Sequence, residues 1–249
     1  MSHLTRSLSY RWKRYRLGVW SPWRSLPTGS VTINGQYRRL QFPPGEEQVQ
    51  LHELSLILVD DCYRLAEIDS PVNVVVDVGG NIGLFTLAAL NRFQPKHIHT
   101  YEPNPQIQSV LEHNTEDDCV TVYPEAIGVD AGTLELALHH NSLHTTSVAD
   151  FARGRIYTPV ISMREVVERA GGQIDLLKLD CEGAEWELLD DPSLWSGVQH
   201  LTMEYHLWAK PGSTVDGLKR QLNELGFHIR SVDEQSDEFG LLFASREKV

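Results

Sequence analysis

No stretch of this 249-residue chain approaches the roughly 20 consecutive apolar residues a membrane-spanning helix needs, so a transmembrane helix is excluded. The N-terminus lacks the apolar core of a secretory signal, which leads to the expectation of a cytoplasmic protein. Cysteine is scarce. Cys62, Cys119 and Cys181 are odd in number and far apart, and form neither a CxxC metal site nor an obvious disulfide framework. Acidic residues are missing before Glu46, although the chain has 34 of them against 22 Lys and Arg. Eight of those basic residues precede Glu46, so the remainder sets 14 against all 34 acids, a net of −20. So acidic a body argues against a general nucleic-acid binder, which needs a basic groove to neutralise phosphates. Internal repeats and low-complexity tracts are also absent.

What is present begins with a basic, aromatic arm. Residues 1–30 interleave Arg6, Arg11, Lys13, Arg14, Arg16 and Arg24 with Tyr10, Trp12, Tyr15, Trp20 and Trp23. Three readings stand side by side: an arm folded on the acidic body, a lid over the substrate, or a contact with an anionic membrane surface. An aromatic-rich extension of this kind also suits a dimer contact. From Val31 to Phe42 two short β segments flank Asn34-Gly35, the signature of a type I′ hairpin. Apolar spacing over 48–58 and 62–68 predicts one or two helices.

Strand and helix then alternate. Strands are expected at 73–78, 97–102, 120–123, 174–180, 198–205, 228–232 and 241–244, with a β-ribbon at 133–138. Helices are expected at 82–92, 105–113, 162–169 (capped by Ser162, with Glu165 in the capping-box position), from about 184, and at 215–225. The continuous β-branched run Val74-Val75-Val76 fits a strand buried on both faces. The alternation predicts an α/β domain with a mostly parallel sheet and helices on both faces.

The first strand runs into Asp77-Val78-Gly79-Gly80-Asn81-Ile82-Gly83. Glycines let the backbone approach a ligand, and the helix that follows offers free N–H groups. Gly79 and Gly83 are separated by three residues, which is not the GxGxxG spacing of a nicotinamide enzyme. Asn81 tolerates unusual backbone angles and can hydrogen-bond a ligand. Asp77 would repel a pyrophosphate but suits the cationic amine of a methionine moiety. The second strand ends in Tyr101-Glu102-Pro103-Asn104, where the Glu102 carboxylate can accept both hydroxyls of a ribose. The third ends near Glu125-Ala126, where an acceptor would meet an adenine amine or, equally, a loop carboxylate would simply face water.

Three motifs taken together, Asp77-Val-Gly-Gly-Asn-Ile-Gly83, Glu102-Pro-Asn-Pro105 and Leu177-Lys-Leu-Asp-Cys-Glu-Gly-Ala-Glu185, resemble the FkbM-type methyltransferases. The resemblance covers about Tyr63 to Ser245. It implies the Rossmann-like class I methyltransferase fold, a seven-stranded sheet whose last strand is antiparallel, with S-adenosylmethionine as cofactor and S-adenosylhomocysteine as product. It further implies that Asp77, Gly79, Asn81 and Glu102 contact the cofactor. Gly80 stands where the family often has Ala, and Cys181 where Val or Ile is usual. The chain then divides into the arm at 1–30, a hairpin and helical lead-in at 31–70, and a methyltransferase domain at 71–249.

Ligands of open α/β sheets sit beyond the C-terminal strand ends. There the fourth strand delivers Asp180 and Glu182, followed by Glu185, and the fifth delivers Glu204 and His206, two apart and so on one face. A hydroxyl nucleophile must lose a proton, for which His206 or a carboxylate is the candidate base, the imidazole being favoured by its near-neutral pKa. A divalent metal held by Asp180, Glu182 or Glu204 is an alternative that no spacing motif supports. Bland readings stand beside these: helix-N-terminal acids for Glu182 and Glu185, a core histidine for His206, packing for Trp186 and Trp208. The cluster His139, His140 and His144 is read as accidental, and Ser142 to Ser147 as a hypothetical acceptor contact. The expected reaction is O-methylation of a hydroxyl on a small molecule, sugar or secondary metabolite. The alternatives are N-methylation, a nicotinamide oxidoreductase, and a non-catalytic scaffold.

Overall fold

The computed structural model describes residues 12–18, 29–138 and 154–246. The hairpin forms as the sequence requires: β1 (Ser30–Ile33) and β2 (Gln36–Arg39) pair antiparallel. Asn34 and Gly35 both take positive φ, 50° and 79°, as a type I′ turn demands. Of the one or two lead-in helices expected, one forms, α1 (Glu47–Leu54), which widens into a π-helical stretch over Ser55–Val59; the segment 62–68 makes a single 3-10 turn at Leu65–Glu67.

β3 (Val74–Val78), α2 (Leu84–Phe93), β4 (His97–Tyr101), α3 (Gln108–Asn114) and β5 (Val120–Tyr123) follow. A small sheet comes next, made of β6 (Ala126–Gly128), β7 (Gly132–Leu138) and β8 (Gly154–Ser162). The chain then continues through α4 (Met163–Arg169), β9 (Ile174–Leu179), α5 (Glu185–Leu189), β10 (Val198–His206), α6 (Val215–Glu224), β11 (His228–Glu234) and β12 (Phe239–Ser245). The main sheet has seven strands in the order β11-β12-β10-β9-β3-β4-β5. Those from β10 to β5 run parallel, while β12 lies antiparallel to both its neighbours.

β6 and β8 are strands that the sequence did not announce. Pro159 lies within β8, which is the middle strand of its sheet. The contradiction with proline's preference for edges is only formal: β6 pairs with β8 from Val160 onward, so at Pro159 the strand has β7 as its one partner.

Successive residues of the central strands enter opposite cores. Val76 and Leu177 face a cluster with α4, α5 and α6, whereas Val75 and Leu176 face one that holds Val31, Ile33, Leu54 and α2. The hairpin and lead-in are therefore part of the packing that covers one face of the sheet. Leu17 joins the same cluster, and Thr32 donates its backbone N–H to the Leu17 carbonyl at 2.6 Å. The described piece of the arm thus lies on the body, with Trp12 and Tyr15 stacked on each other and exposed. Each fully buried Leu, Ile or Val in these layers contributes about 1.5–3 kcal/mol. Asn114 ties the lead-in to the turn after β3: its side-chain amide donates to the carbonyls of Gln41 (3.0 Å) and Ile82 (2.9 Å).

Caps set the helix starts that frame the site. Ser162 Oγ accepts the Glu165 N–H at 3.2 Å, as expected, but the Glu165 carboxylate reaches forward to Arg169 at 2.7 Å. Among the described residues no helix is long and apolar enough to cross a membrane. His139, His140, His144 and Ser142 to Ser147 lie outside the described residues, as does the rest of the basic arm.

Candidate active site

A cavity of about 990 Å³ opens over the C-terminal ends of β3, β4, β5, β9 and β10. That is the upper end of the roughly 300–1,000 Å³ of small-molecule sites, enough for a nucleoside cofactor and an acceptor together. Gly79, Gly80, Asn81 and Glu102 line one part of it, and Asp180, Glu182, Glu204 and His206 another.

The glycine turn is held by geometry. Gly79 has φ 75° and Gly83 φ 89°, and Asn81, at 47°, takes the left-handed conformation its side chain tolerates. A Cβ on Gly79 would lie 1.9 Å from the Asp180 carbonyl oxygen, and one on Gly80 2.3 Å from Thr100 Cγ2. The second contact accounts for glycine rather than alanine at position 80. Asn81 Oδ1 accepts the Ile82 N–H at 2.7 Å, which closes the turn.

Glu102 sits at the end of β4 with both oxygens engaged by backbone: Oε2 accepts from Asn81 N (2.9 Å) and Oε1 from Asn104 N (2.8 Å). Burial pushes its pKa up to about 7 against the pull of those two N–H groups. Each carboxylate oxygen retains a lone pair for a ribose hydroxyl. Asn104 is buried behind Glu102 and does not line the cavity; its Oδ1 accepts the Gln106 N–H at 3.0 Å. Asp77 is likewise buried. Its Oδ2 accepts from Thr86 Oγ1 at 2.7 Å, and its Oδ1 lies 3.5 Å from Lys178 Nζ. Burial raises its pKa, with Lys178 opposing. Glu125 and Ala126 do line the cavity, but Glu125 is no water-facing loop acid, because Arg169 holds it in a two-point ion pair.

Lys178 is the group the sequence left without a role. Its cross-strand neighbour in β3 is Asp77, so the register itself sets the ammonium against that carboxylate. Nζ donates to the carbonyls of Val78 (3.1 Å) and Gly79 (2.5 Å) and pairs with Asp180 at 3.1 Å. Burial disfavours the ammonium, yet Asp180 and Asp77 together raise its pKa. It joins the glycine turn to the acid cluster. Strand periodicity places it on one face with Asp180, two residues on.

His206 ends β10, and its ring is fixed from behind by Glu185, Nδ1 to Oε1 at 3.0 Å. The same Glu185 oxygen accepts the Cys181 N–H at 3.2 Å, and Glu185 is 1 % exposed. Nε2 faces Glu182 and Glu204, each at 3.7 Å. Glu182 reaches this position because its backbone is left-handed, φ 51°, followed by Gly183 at 106°. Burial, then repulsion from Asp180, raises Glu182 to about 7 and Glu204 to about 8. Burial lowers His206, but the Glu185 hydrogen bond and the surrounding acids outweigh it and lift the imidazole to about 9. These shifts favour a protonated imidazole at neutral pH, and the proton acceptors beside it are the carboxylates in their ionised form, which Glu182 gains as pH rises through about 7 and Glu204 through about 8. Trp208 lines the cavity edge-on to His206, with centroids 5.6 Å apart. Trp186 is buried, donating Nε1 to the His206 carbonyl at 2.8 Å. Asp180, Glu182 and His206 offer ligand atoms within 4.8 Å of one another, a spacing that a divalent ion could bridge.

The residues present fit a methionine-linked nucleoside: side-chain-free turns where the backbone must approach, a ribose-type carboxylate one strand over, and an acidic edge beyond. Strand order and cradle together define a class I methyltransferase fold. A family model described as the methyltransferase FkbM domain matches residues 77–229, more than half of the chain, and the chain belongs to that family. It is an S-adenosylmethionine-dependent methyltransferase. Among similar proteins, methyltransferase sdnD of Sordaria araneosa is 27% identical over 231 residues, covering 77% of this chain and 88% of its own. The 31-O-demethyl-FK506 methyltransferase FkbM of Streptomyces tacrolimicus is 28% identical over 199 residues, covering 65% and 75%. Among solved structures, magnesium protoporphyrin IX methyltransferase (ChlM) of Synechocystis PCC 6803 with bound SAM is 13% identical, with a TM-score of 0.46, covering 83% and 86%.

Proposed function

We propose that this enzyme methylates a hydroxyl oxygen of a small molecule, sugar or secondary metabolite. The observation that carries this reading is the cluster at the ends of β9 and β10, where Glu182 and Glu204 meet the His206 ring across from the glycine turn. When bound, S-adenosylmethionine supplies an electrophilic methyl group on a sulfonium. The chain supplies the rest. Glu102 and the glycine turn fix the nucleoside, and positioning of this kind accounts for much of a methyl transfer's acceleration. Glu204, once ionised as pH rises toward about 8, takes the proton of the acceptor hydroxyl, His206 stabilises the charge on its neighbours, and Glu185 keeps the ring oriented. An amine would not need a proton acceptor poised near neutrality to the same degree. The relative whose name specifies a 31-O-demethyl substrate supports oxygen as the methylated atom. The test is a screen of hydroxyl and amine acceptors with trideuteromethyl-labelled cofactor. An O-linked label that is lost in Glu204→Gln supports the reading, and label found only on nitrogen overturns it.

The 4.8 Å grouping of Asp180, Glu182 and His206 favours one second reading, a divalent ion that acidifies the acceptor hydroxyl. Turnover abolished by dialysis against chelator and restored by Mg²⁺ or Mn²⁺ would establish it. Unchanged turnover would remove it.

A further inference from the structure

Four strands along the sheet from β10, the carboxylate of Glu125 faces the cavity just beyond β5. It is gripped from behind. Arg169 Nη1 lies 2.5 Å from Oε2 and Nη2 3.3 Å from Oε1, and Nη2 also donates to Glu165 Oε1 at 2.7 Å. The guanidinium lies over the Tyr123 ring, 4.8 Å from its centroid, and Tyr123 stacks on Tyr101 at 4.7 Å. The support begins at the Ser162 cap, which starts α4 and so sets Glu165 and, one turn on, Arg169. A carboxylate on a loop would otherwise sample many rotamers; a planar, two-point partner fixes its plane before any ligand arrives.

We propose that Arg169 is a positioning residue that orients Glu125 to accept a hydrogen bond from the 6-amino group of the cofactor's adenine, and so sets the base specificity of the site. This rests on the S-adenosylmethionine reading. Arginine has donors only, so whatever atom faces it must be an acceptor. Both Glu125 oxygens satisfy that, and the lone pairs left toward the cavity are acceptors too. They match an amine and mismatch a 6-oxo purine, whose carbonyl would meet a carboxylate with no proton between them. Glu102 cannot supply this discrimination, since a ribose is common to both bases.

The test is calorimetric titration of the full chain with S-adenosylhomocysteine and with its 6-deaminated counterpart, S-inosylhomocysteine. The wild type is expected to prefer the adenine ligand by about tenfold or more, the usual cost of leaving a buried polar group unmatched. In Arg169→Met that preference falls toward unity because the adenine ligand weakens while the inosine ligand does not. Glu125→Gln gives a sharper readout. Arg169 must still face an oxygen, so the amide turns its oxygen to Arg169 and its NH₂ to the cavity, and the preference shifts toward the 6-oxo base. In the double variant E125Q/R169M that shift disappears. Should R169M fail to fold, the near-isosteric E125Q still carries the test. A merely structural arginine weakens both ligands alike, so a wild-type ratio in both single variants overturns the proposal. Folded wild type that binds neither ligand overturns the cofactor reading itself, a different result.

Discussion

The two parts of the cavity are built on different principles. Around the glycine turn, the polar side chains are met by backbone: Glu102 by two N–H groups, Asn81 by the next residue's N–H, and the Lys178 ammonium by the Gly79 carbonyl. Around His206, carboxylates crowd one another, and Asp180 raises the proton affinity of Glu182 and Glu204 where backbone donors are few. The first arrangement makes a rigid mould for an unchanging ligand. The second makes a charged, adjustable surface for chemistry. Changes to the mould should therefore act on folding and cofactor affinity, and changes to the cluster on turnover.

The largest effect is expected from Gly79→Ala. The new methyl would meet the Asp180 carbonyl at 1.9 Å, backbone that cannot turn aside, in a residue already at φ 75°. A loss of roughly 3–5 kcal/mol would lower the melting temperature by on the order of 10 °C and abolish S-adenosylhomocysteine binding. A variant that melts and binds like the wild type would show the turn to be far softer than this geometry. Next comes Glu102→Ala, which removes the ribose acceptor and leaves the Asn81 and Asn104 N–H groups without the carboxylate they donate to. Calorimetry should show affinity falling about 100-fold or more. A change of less than threefold would place the ribose elsewhere.

The same contrast governs what could be read without a structure. A mould made of backbone leaves a spacing in the sequence: Gly79, Asn81, Gly83 and Glu102 announce a turn, a positive φ and a strand-end carboxylate, because few other residues can serve there. The seven main strands and the hairpin were legible for the same reason, each carrying a periodicity or a turn pair. Contacts between side chains leave no such trace. That Asp77 faces Lys178 and Thr86 rather than the cavity depends on the register between β3 and β9, and that Glu125 meets Arg169 depends on how α4 lies against β5. Arg169 did carry one local sign, its i,i+4 spacing from Glu165, but that spacing predicts a surface pair and not a clamp on a cavity residue. Glu204 and His206 were placed on one face by strand periodicity. The lifting of the imidazole to about 9 required knowing that Glu185 lies 3.0 Å away.

Glu204→Gln separates the two regions. With a base removed but the mould intact, turnover should fall about 10²–10³-fold while the dissociation constant for S-adenosylhomocysteine stays within about threefold. A large loss of cofactor affinity with unchanged turnover would reverse the assignment of the two regions.

The smallest effect, and the most specific, concerns pH. Glu102 has its pKa raised to about 7, mainly by burial. A raised carboxyl pKa stabilises the folded apo-protein below the unfolded value of about 4.5, and that contribution is lost as pH rises through about 7. A ribose makes the opposite demand, because its hydroxyls donate and prefer the carboxylate. Between pH 6 and 8, therefore, Glu102 should make the apo-protein slightly less heat-stable while S-adenosylhomocysteine affinity rises by up to about tenfold. Glu182 and Glu204 titrate in the same range, so the comparison is wild type minus Glu102→Gln. The variant should lose the affinity slope and flatten this part of the stability slope. If the slope in affinity survives the substitution, its source lies in the His206 cluster, and the division between a rigid mould and a titrating acceptor surface would have to be redrawn with the cofactor reaching both.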